Sequence, residues 1–334
     1  METIGKLKLI AERARQDRKL KFTSLYHHIN AESLAACYGE LKKNKACGVD
    51  GVRVEGYGRK LTENLKDLVE RLKTKRYQPR PGRRVYIPKP GKAELRPLGI
   101  PTVGDKLVQI GLKKILEAIF EQDFLESSNG YRPNRSAQTA VNQLDKVVMT
   151  KGINSMVEVD IKKFFDEVQH ETLREAVKER VSDPNILWLI RRFLKAGIME
   201  EGKTIKSEEG TPQGGVVSPL LANIYLHYAV DKWFEEEYKP KAKGYVQLIR
   251  YCDDFVVACQ QREDAEGFLR ELEERLKKYG LRILLEKTKV IEFGRRIWKR
   301  SQGTSEKVPT FDFLGFTHYC TGSRRGKFIL SPIQ

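Results

Sequence analysis

The sequence predicts an α+β fold built on a mostly antiparallel sheet. Helix-spaced and strand-spaced apolar segments interleave along the chain, with no internal repeat and no long low-complexity linker. The strand-like runs at "RRVYIPKPGKAELRPLGIP" and "LIRYCDDFVVACQ" each fold back at a turn, which pairs neighbours antiparallel. With 334 residues, 40% hydrophobic content, 14 Phe and 13 Tyr, the chain has enough apolar surface for a substantial core, divided between more than one subdomain.

Residues 4–20 and 31–45 carry helical spacing, with Leu7, Ile10 and Ala14, then Leu34, Cys37 and Leu41. "NKACGVDGV" is a Gly/Asp turn cluster, and Leu61 to Leu72 reads as an amphipathic helix. The hairpin from Arg83 carries basic residues at its tip, and a strong helix covers Leu107 to Phe124. "SSNGYRPNRSAQTAVNQL" is a turn and then a helix capped by Ser136. "SMVEVDI" is a strand. Glu171 to Ala196 is helical with a break at Asp183-Pro184, and "GTPQGG" is a loop. "SPLLANIYLHYAVDKWFEEEY" is a helix with Pro219 in its first turn. Glu263 to Tyr279 is a charged helix, and "FDFLGFTHY" is a late strand.

The net charge is +17, a property that speaks to partners rather than fold. Arg71 to Arg96 carries ten Lys/Arg against one acid, and the tail from Gly294 carries eight against two. The first 28 residues carry seven against three. Basic stretches interleaved with Tyr, Phe and Trp fit a nucleic-acid track better than a merely solvated surface. No window approaches the ~18 uninterrupted apolar residues of a membrane span, and the N-terminus lacks the apolar stretch of a secretory signal. The five cysteines (37, 47, 252, 259, 320) form no CxxC pair and read as reduced thiols of a cytoplasmic protein. Histidines 27, 28, 170, 227 and 318 have no zinc spacing.

Asp253 and Asp254 stand side by side in an apolar strand pair. On a continuous strand they would point to opposite faces; a tight turn at the pair lets both serve one site. Unpaired buried carboxylates are costly, so positive charge must meet them. Asp160, in "SMVEVDIKKFFDEV", is a third acid in strand context, whereas Asp166 reads as a local cap or paired acid. Three strand-end acids can converge on two divalent cations, roughly 4 Å apart, in a two-metal site.

"YCDD", "VEVDIKKFFDEV" and "EGTPQGGVVSPLLANIYL", with "NKACGVDGV", "RPLGIPTVGDKLVQ", "NGYRPNRSAQTAV" and "FDFLGFTHY" in that order, resemble the bacterial group II intron-encoded reverse transcriptases. The resemblance runs from about Ala31 to Gly326. It implies a right-hand polymerase fold. Residues 1–30 would be a basic N-terminal extension, 31–135 and 170–215 the fingers, and 136–169 and 216–334 the palm with its primer-grip region. No thumb is expected within the chain, and weak processivity follows. The resemblance implies that Asp160, Asp253, Asp254 and the Ile161 carbonyl hold two Mg²⁺ ions, with Mn²⁺ a substitute. Phe165, five residues after Asp160, would exclude a ribose 2′-OH. Gln213 would lie over the nucleotide or template base, where Gly214 and Gly215 permit close backbone approach. Lys89 and Arg96 would clamp the triphosphate. Lys287, with Lys289 as its competitor, would act near the pyrophosphate. Phe313, Leu314 and Gly315 would form the primer grip, a late hairpin that holds the growing 3′ end. The implied partners are an RNA template, a DNA or RNA primer and dNTPs, with intron RNA and a splicing-cofactor (maturase) role as the alternative function.

Cys252 and "NGYRPNRS" depart from that pattern, and one further motif is a decoy. Cys252 stands where the class usually has Ala, which leaves a thiol beside the metals and an expected sensitivity to thiophilic metals. "GIMEEGKT" fits the phosphate-loop pattern, but a helical run precedes it and a strand follows, so no NTP hydrolysis is expected there.

Overall fold

The computed structural model describes residues 2–88, 95–205, 209–211, 213–302, 304 and 307–333, with backbone alone for 2–4. Its strands are β1 (Gly82–Pro88), β2 (Leu95–Ile100), β3 (Ser155–Asp160), β4 (Ile198–Glu200), β5 (Lys203–Ile205), β6 (Val246–Tyr251), β7 (Asp254–Cys259), β8 (Lys289–Glu292), β9 (Phe311–Phe313), β10 (Phe316–Gly322) and β11 (Phe328–Ile333). The chain mixes helices with sheets in the α+β manner and divides into two units, 1–123 with 165–224 and 124–164 with 225–334. Among the described residues, no helix is long and apolar enough to cross a membrane.

In the first unit the helical periodicities become Glu2–Gln16, Ala31–Gly39, Leu61–Lys73, Val103–Phe120, His170–Lys178 and Pro184–Leu194. Asn30 and Ser33 close a reciprocal capping box at the second of these. Asp183 caps the last through Asn185 and Ile186, with Pro184 in the first turn, which is why the helical pattern breaks there. The same carboxylate accepts the backbone N–H groups of Leu25 (2.6 Å) and Tyr26 (2.9 Å), fastening the N-terminal stretch. Ile10 and Ala14 are buried, and the Arg180 guanidinium donates to the carbonyls of Ala14 and Leu20. The basic first 30 residues are therefore built into this unit.

The first unit's sheet has the order β2-β1-β4-β5. β1 and β2 are antiparallel from Arg83↔Ile100 to Pro88↔Leu95, while β1 and β4 run parallel. "GIMEEGKT" is the β4–β5 hairpin, turning at Glu201 (φ 48°) and Gly202 (φ 78°). Positive φ at both central residues matches a hairpin turn and leaves no loop-to-helix cradle for phosphate.

The second unit holds a sheet of order β6-β7-β3-β8 and a smaller one of order β11-β10-β9. Its helix Ala137–Thr150 begins at Ser136, whose side chain and that of Thr139 form a second capping box. Ala140, Leu144 and Val148 of that helix join Met156, Val256, Ala258, Phe311, Phe313 and Phe328 in one buried cluster. "FDFLGFTHY" is a hairpin rather than one strand, because Leu314 (φ 56°) and Gly315 (φ 78°) reverse the chain between β9 and β10. The segment 124–135 belongs here too: Ser128 bridges Arg250.

Candidate active site

β3 and β7 are antiparallel with Met156↔Ala258, Glu158↔Val256 and Asp160↔Asp254 in register. Alternate residues share a face. Asp160 and Asp254 thus share the face of the core residues Met156, Val256 and Ala258, at one end of the strands. Directly opposed residues of an antiparallel pair lie about 4.5–5.5 Å apart at Cα. β6 and β7 pair as far as Tyr251↔Asp254, which leaves Cys252 and Asp253 as a two-residue turn. Cys252 has φ 58°. Positive φ at the first central residue is characteristic of a type II′ turn, where glycine is the usual occupant. The turn is what frees Asp253 from strand alternation.

Burial dominates the state of Asp254. Its carboxyl is pushed up to about 7 by desolvation, held back by the Leu314 N–H and raised further by Asp253, Asp160 and Glu158. The Leu314 N–H donates to Asp254 Oδ2 at 3.4 Å, tying the β9–β10 turn to this carboxylate. Lys287 Nζ lies 3.2 Å from Asp160 Oδ2. Lys289 instead sits opposite Glu158 in the β3–β8 register, which separates the two competing lysines. The bonds that flank Ile161, from Lys162 N–H to the Arg282 carbonyl and from Leu284 N–H to the Asp160 carbonyl, do not use its own carbonyl. Among the described residues no three His, Cys, Asp or Glu side chains form a ready metal cage. The donor set nonetheless fits a divalent cation: two opposed carboxylates, a third at the adjoining turn, and a burial of Asp254, reinforced by the neighbouring acids, that a cation would offset.

A second positive charge, Arg250, is completely buried at the end of β6. Its guanidinium makes a forked ion pair with the equally buried Asp231, with Nε 2.6 Å from Oδ1. It also donates to the Cys252 carbonyl (2.9 Å) and to Ser128 Oγ (2.8 Å). Gly130 lies against the same turn, where an added Cβ would stand 2.5 Å from the Cys252 nitrogen. His227, beside Asp231, is held neutral by burial, which lowers it to about 4. Sequence reasoning passed over these residues. Arg250 stood three places from Asp253, but nothing in a strand-like run marks an arginine as buried. The Cys252 thiol is buried, hydrogen-bonded with Asp253 and raised strongly by desolvation, so it is a poor soft-metal ligand.

The remaining predicted residues take the following places. Phe313 is a core residue, while Leu314 and Gly315 form the turn. Phe164 is buried with its ring 6.3 Å from that of Tyr225. Phe165, Gln213 and Arg96 belong to the first unit. Phe165 is half-buried and its carbonyl accepts the Thr211 N–H at 2.7 Å. Gln213 is half-buried and its carbonyl accepts the Gly99 N–H at 2.6 Å. Gly214 (φ 101°) would place a Cβ 2.7 Å from the Gly99 carbonyl oxygen, so its missing side chain serves the chain's own packing. Arg96 is exposed on β2 opposite Ile87. Lys89 lies outside the described residues.

Residues 87–318 match the family model described as reverse transcriptase (RNA-dependent DNA polymerase). The chain is 38% identical over 226 residues to the group II intron-encoded protein LtrA of Lactococcus lactis subsp. cremoris, an alignment covering 67% of this chain and 37% of that protein. It is 36% identical over 277 residues to protein YkfC of Escherichia coli K12, covering 73% and 71%. An uncharacterized 91 kDa protein in the cob intron of Schizosaccharomyces pombe is 33% identical over 245 residues. The chain thus spans little more than a third of the length of LtrA. The matched region includes the opposed pair Asp160 and Asp254 and the intervening turn, and on these grounds the chain belongs to the reverse transcriptase (RNA-dependent DNA polymerase) family, with group II intron-encoded proteins among its relatives.

Proposed function

We propose that this chain is an RNA-directed DNA polymerase of the group II intron type, adding dNTPs to a primer 3′-OH on an RNA template. The observation that carries the reading is the Asp160↔Asp254 register with Asp253 in the adjoining turn. On this reading the second unit is the palm and the first unit the fingers. Asp160, Asp253, Asp254 and the Ile161 carbonyl are the groups that would hold two divalent cations, Mg²⁺ or Mn²⁺. When bound, such ions activate the attacking hydroxyl and offset charge on the leaving pyrophosphate.

The protein's own residues do the rest. Asp254 must shed its proton to serve as a ligand; burial first, and the neighbouring Asp253 and Asp160 second, oppose that loss, and arriving cationic charge offsets both. Lys287, whose ion pair with Asp160 supports the role, would hold the pyrophosphate and give it a proton. The Leu314–Gly315 turn orients the primer end next to Asp254 through the Leu314 N–H. Phe165 serves as the sugar gate, Gln213 contacts the nucleotide or template base, and Arg96, with Lys89, binds the triphosphate. The surplus of basic residues serves the RNA and primer backbones, and intron RNA is a further ligand of the same surface.

The deciding experiment is Mg²⁺-dependent dNTP incorporation on an RNA template with a DNA primer. Wild type is expected to incorporate, and Asp253→Asn/Asp254→Asn to lose incorporation while keeping RNA affinity. RNA binding without incorporation by wild type would favour the splicing-cofactor reading instead. RNA affinity is expected to fall on the order of 10³-fold between 50 and 200 mM salt if six or more phosphates are neutralised.

A further inference from the structure

Among the described residues, the largest fully buried side chain is a charged one, Arg250, and it lies at the base of the acid turn rather than in it. One guanidinium reaches three separate segments. Nε and one terminal nitrogen hold Asp231, in the π-helical segment His227–Asp231. A terminal nitrogen holds Ser128 Oγ in the 124–135 segment. The other donates to the carbonyl of Cys252, the residue whose φ of 58° defines the turn. The backbone of Arg250 is fixed as well: its N–H donates to the Ser127 carbonyl and its carbonyl accepts from Asn129, both at 2.8 Å. A non-glycine residue at positive φ costs free energy and persists only where its surroundings hold it. The Cys252 carbonyl is the handle by which they do so.

We infer that Arg250, locked by Asp231 and Ser128, is a positioning residue that holds the Cys252–Asp253 turn in its strained form and thereby sets how tightly the three acids take divalent cations. This rests on the proposed function. The planar fork of arginine is required, since only it offers several donors at fixed angles to a carboxylate, a hydroxyl and a carbonyl together. Because Asp231 neutralises it, the arginine acts through geometry, not by adding positive charge to the site.

The test separates geometry from folding. Removing one member of a buried ion pair is strongly destabilising, whereas exchanging both for apolar residues of similar volume is often tolerated. Arg250→Met/Asp231→Leu is therefore expected to remain folded, with a melting temperature near that of wild type, yet to release the Cys252 carbonyl. Arg250→Lys keeps a cation for Asp231 but cannot serve all three segments. Two quantities are read on the full chain: Mn²⁺ binding, from the loss of the free-ion electron paramagnetic resonance signal, and half-saturating Mg²⁺ in primer extension. Each folded variant is expected to weaken Mn²⁺ binding about tenfold and to raise half-saturating Mg²⁺ in step, with duplex Kd within about twofold of wild type. Either variant folding and binding Mn²⁺ as wild type does overturns the inference. Wild type that neither binds Mn²⁺ above an Asp253→Asn/Asp254→Asn control nor extends a primer overturns the proposed function instead.

Discussion

Asp254→Asn removes a charge that the metal-free protein holds at a cost. Burial and three neighbouring carboxyls raise this group from 3.8 to about 7. One pKa unit corresponds to about 1.4 kcal/mol, so the displacement of about three units sets an upper bound of about 4 kcal/mol. A carboxyl raised in the folded state favours folding while protonated. That contribution is full below pH 3.8 and is lost as pH rises through about 7. At pH 8 wild type bears the whole penalty and the asparagine variant bears none. Asparagine retains an oxygen to accept from the Leu314 N–H, so no donor is orphaned. In EDTA at pH 8 the variant is expected to melt several degrees above wild type, about 2–4 °C per kcal/mol for domains of this size. The gain should shrink steadily toward pH 5. In Mg²⁺ the order reverses, because only wild type is stabilised by the ion, and the variant makes no DNA. A variant no more stable than wild type in EDTA at pH 8, or a gain equal at pH 5 and pH 8, would refute the account of repulsion at this site.

Gly130→Ala places a Cβ 2.5 Å from the Cys252 nitrogen, with backbone on the other side of the clash. It is expected to lower dNTP incorporation at least tenfold while RNA affinity, by filter binding, stays within about twofold. His227, buried and lowered to about 4, contributes stability that is complete above the usual value of 6.5 and is lost as pH falls through about 4. The loss amounts to about 3 kcal/mol. His227→Leu should flatten that part of the pH profile in urea denaturation. Cys47 is half-buried while Cys37, Cys252, Cys259 and Cys320 are buried. Thiol titration of the native protein should therefore show one fast cysteine, absent in Cys47→Ser, and a Cys252 that reacts only on unfolding.

The helices were legible because each depends on local signals: the capping residues Asn30, Ser136 and Asp183 stand next to the periodic runs they cap. The three acids were legible for a similar reason, since adjacent aspartates inside an apolar run have few explanations. That Asp160 meets Asp254 depends on register, and a slip of one residue would have turned it to the other face. By its apolar run alone β9–β10 reads as one strand, and only the resemblance implied a hairpin there, because Leu314 at positive φ carries no local turn signal of its own. Lys287 was separated from Lys289 only by the pairing of β8 with β3.

What the sequence determined by itself was the kind of chemistry available: three carboxylates in strand context, a large basic surplus and the ordered motifs around them. These are properties of residue type and spacing, which a chain carries whether folded or not. What only tertiary structure decided was which charge answers which. Arg250 and Asp231 lie 19 positions apart, and Ser128 is 122 from Arg250. Their meeting depends on the closing of a sheet and a helix around a buried point, and long-range desolvation, unlike a helix cap, leaves no local trace in the order of residues.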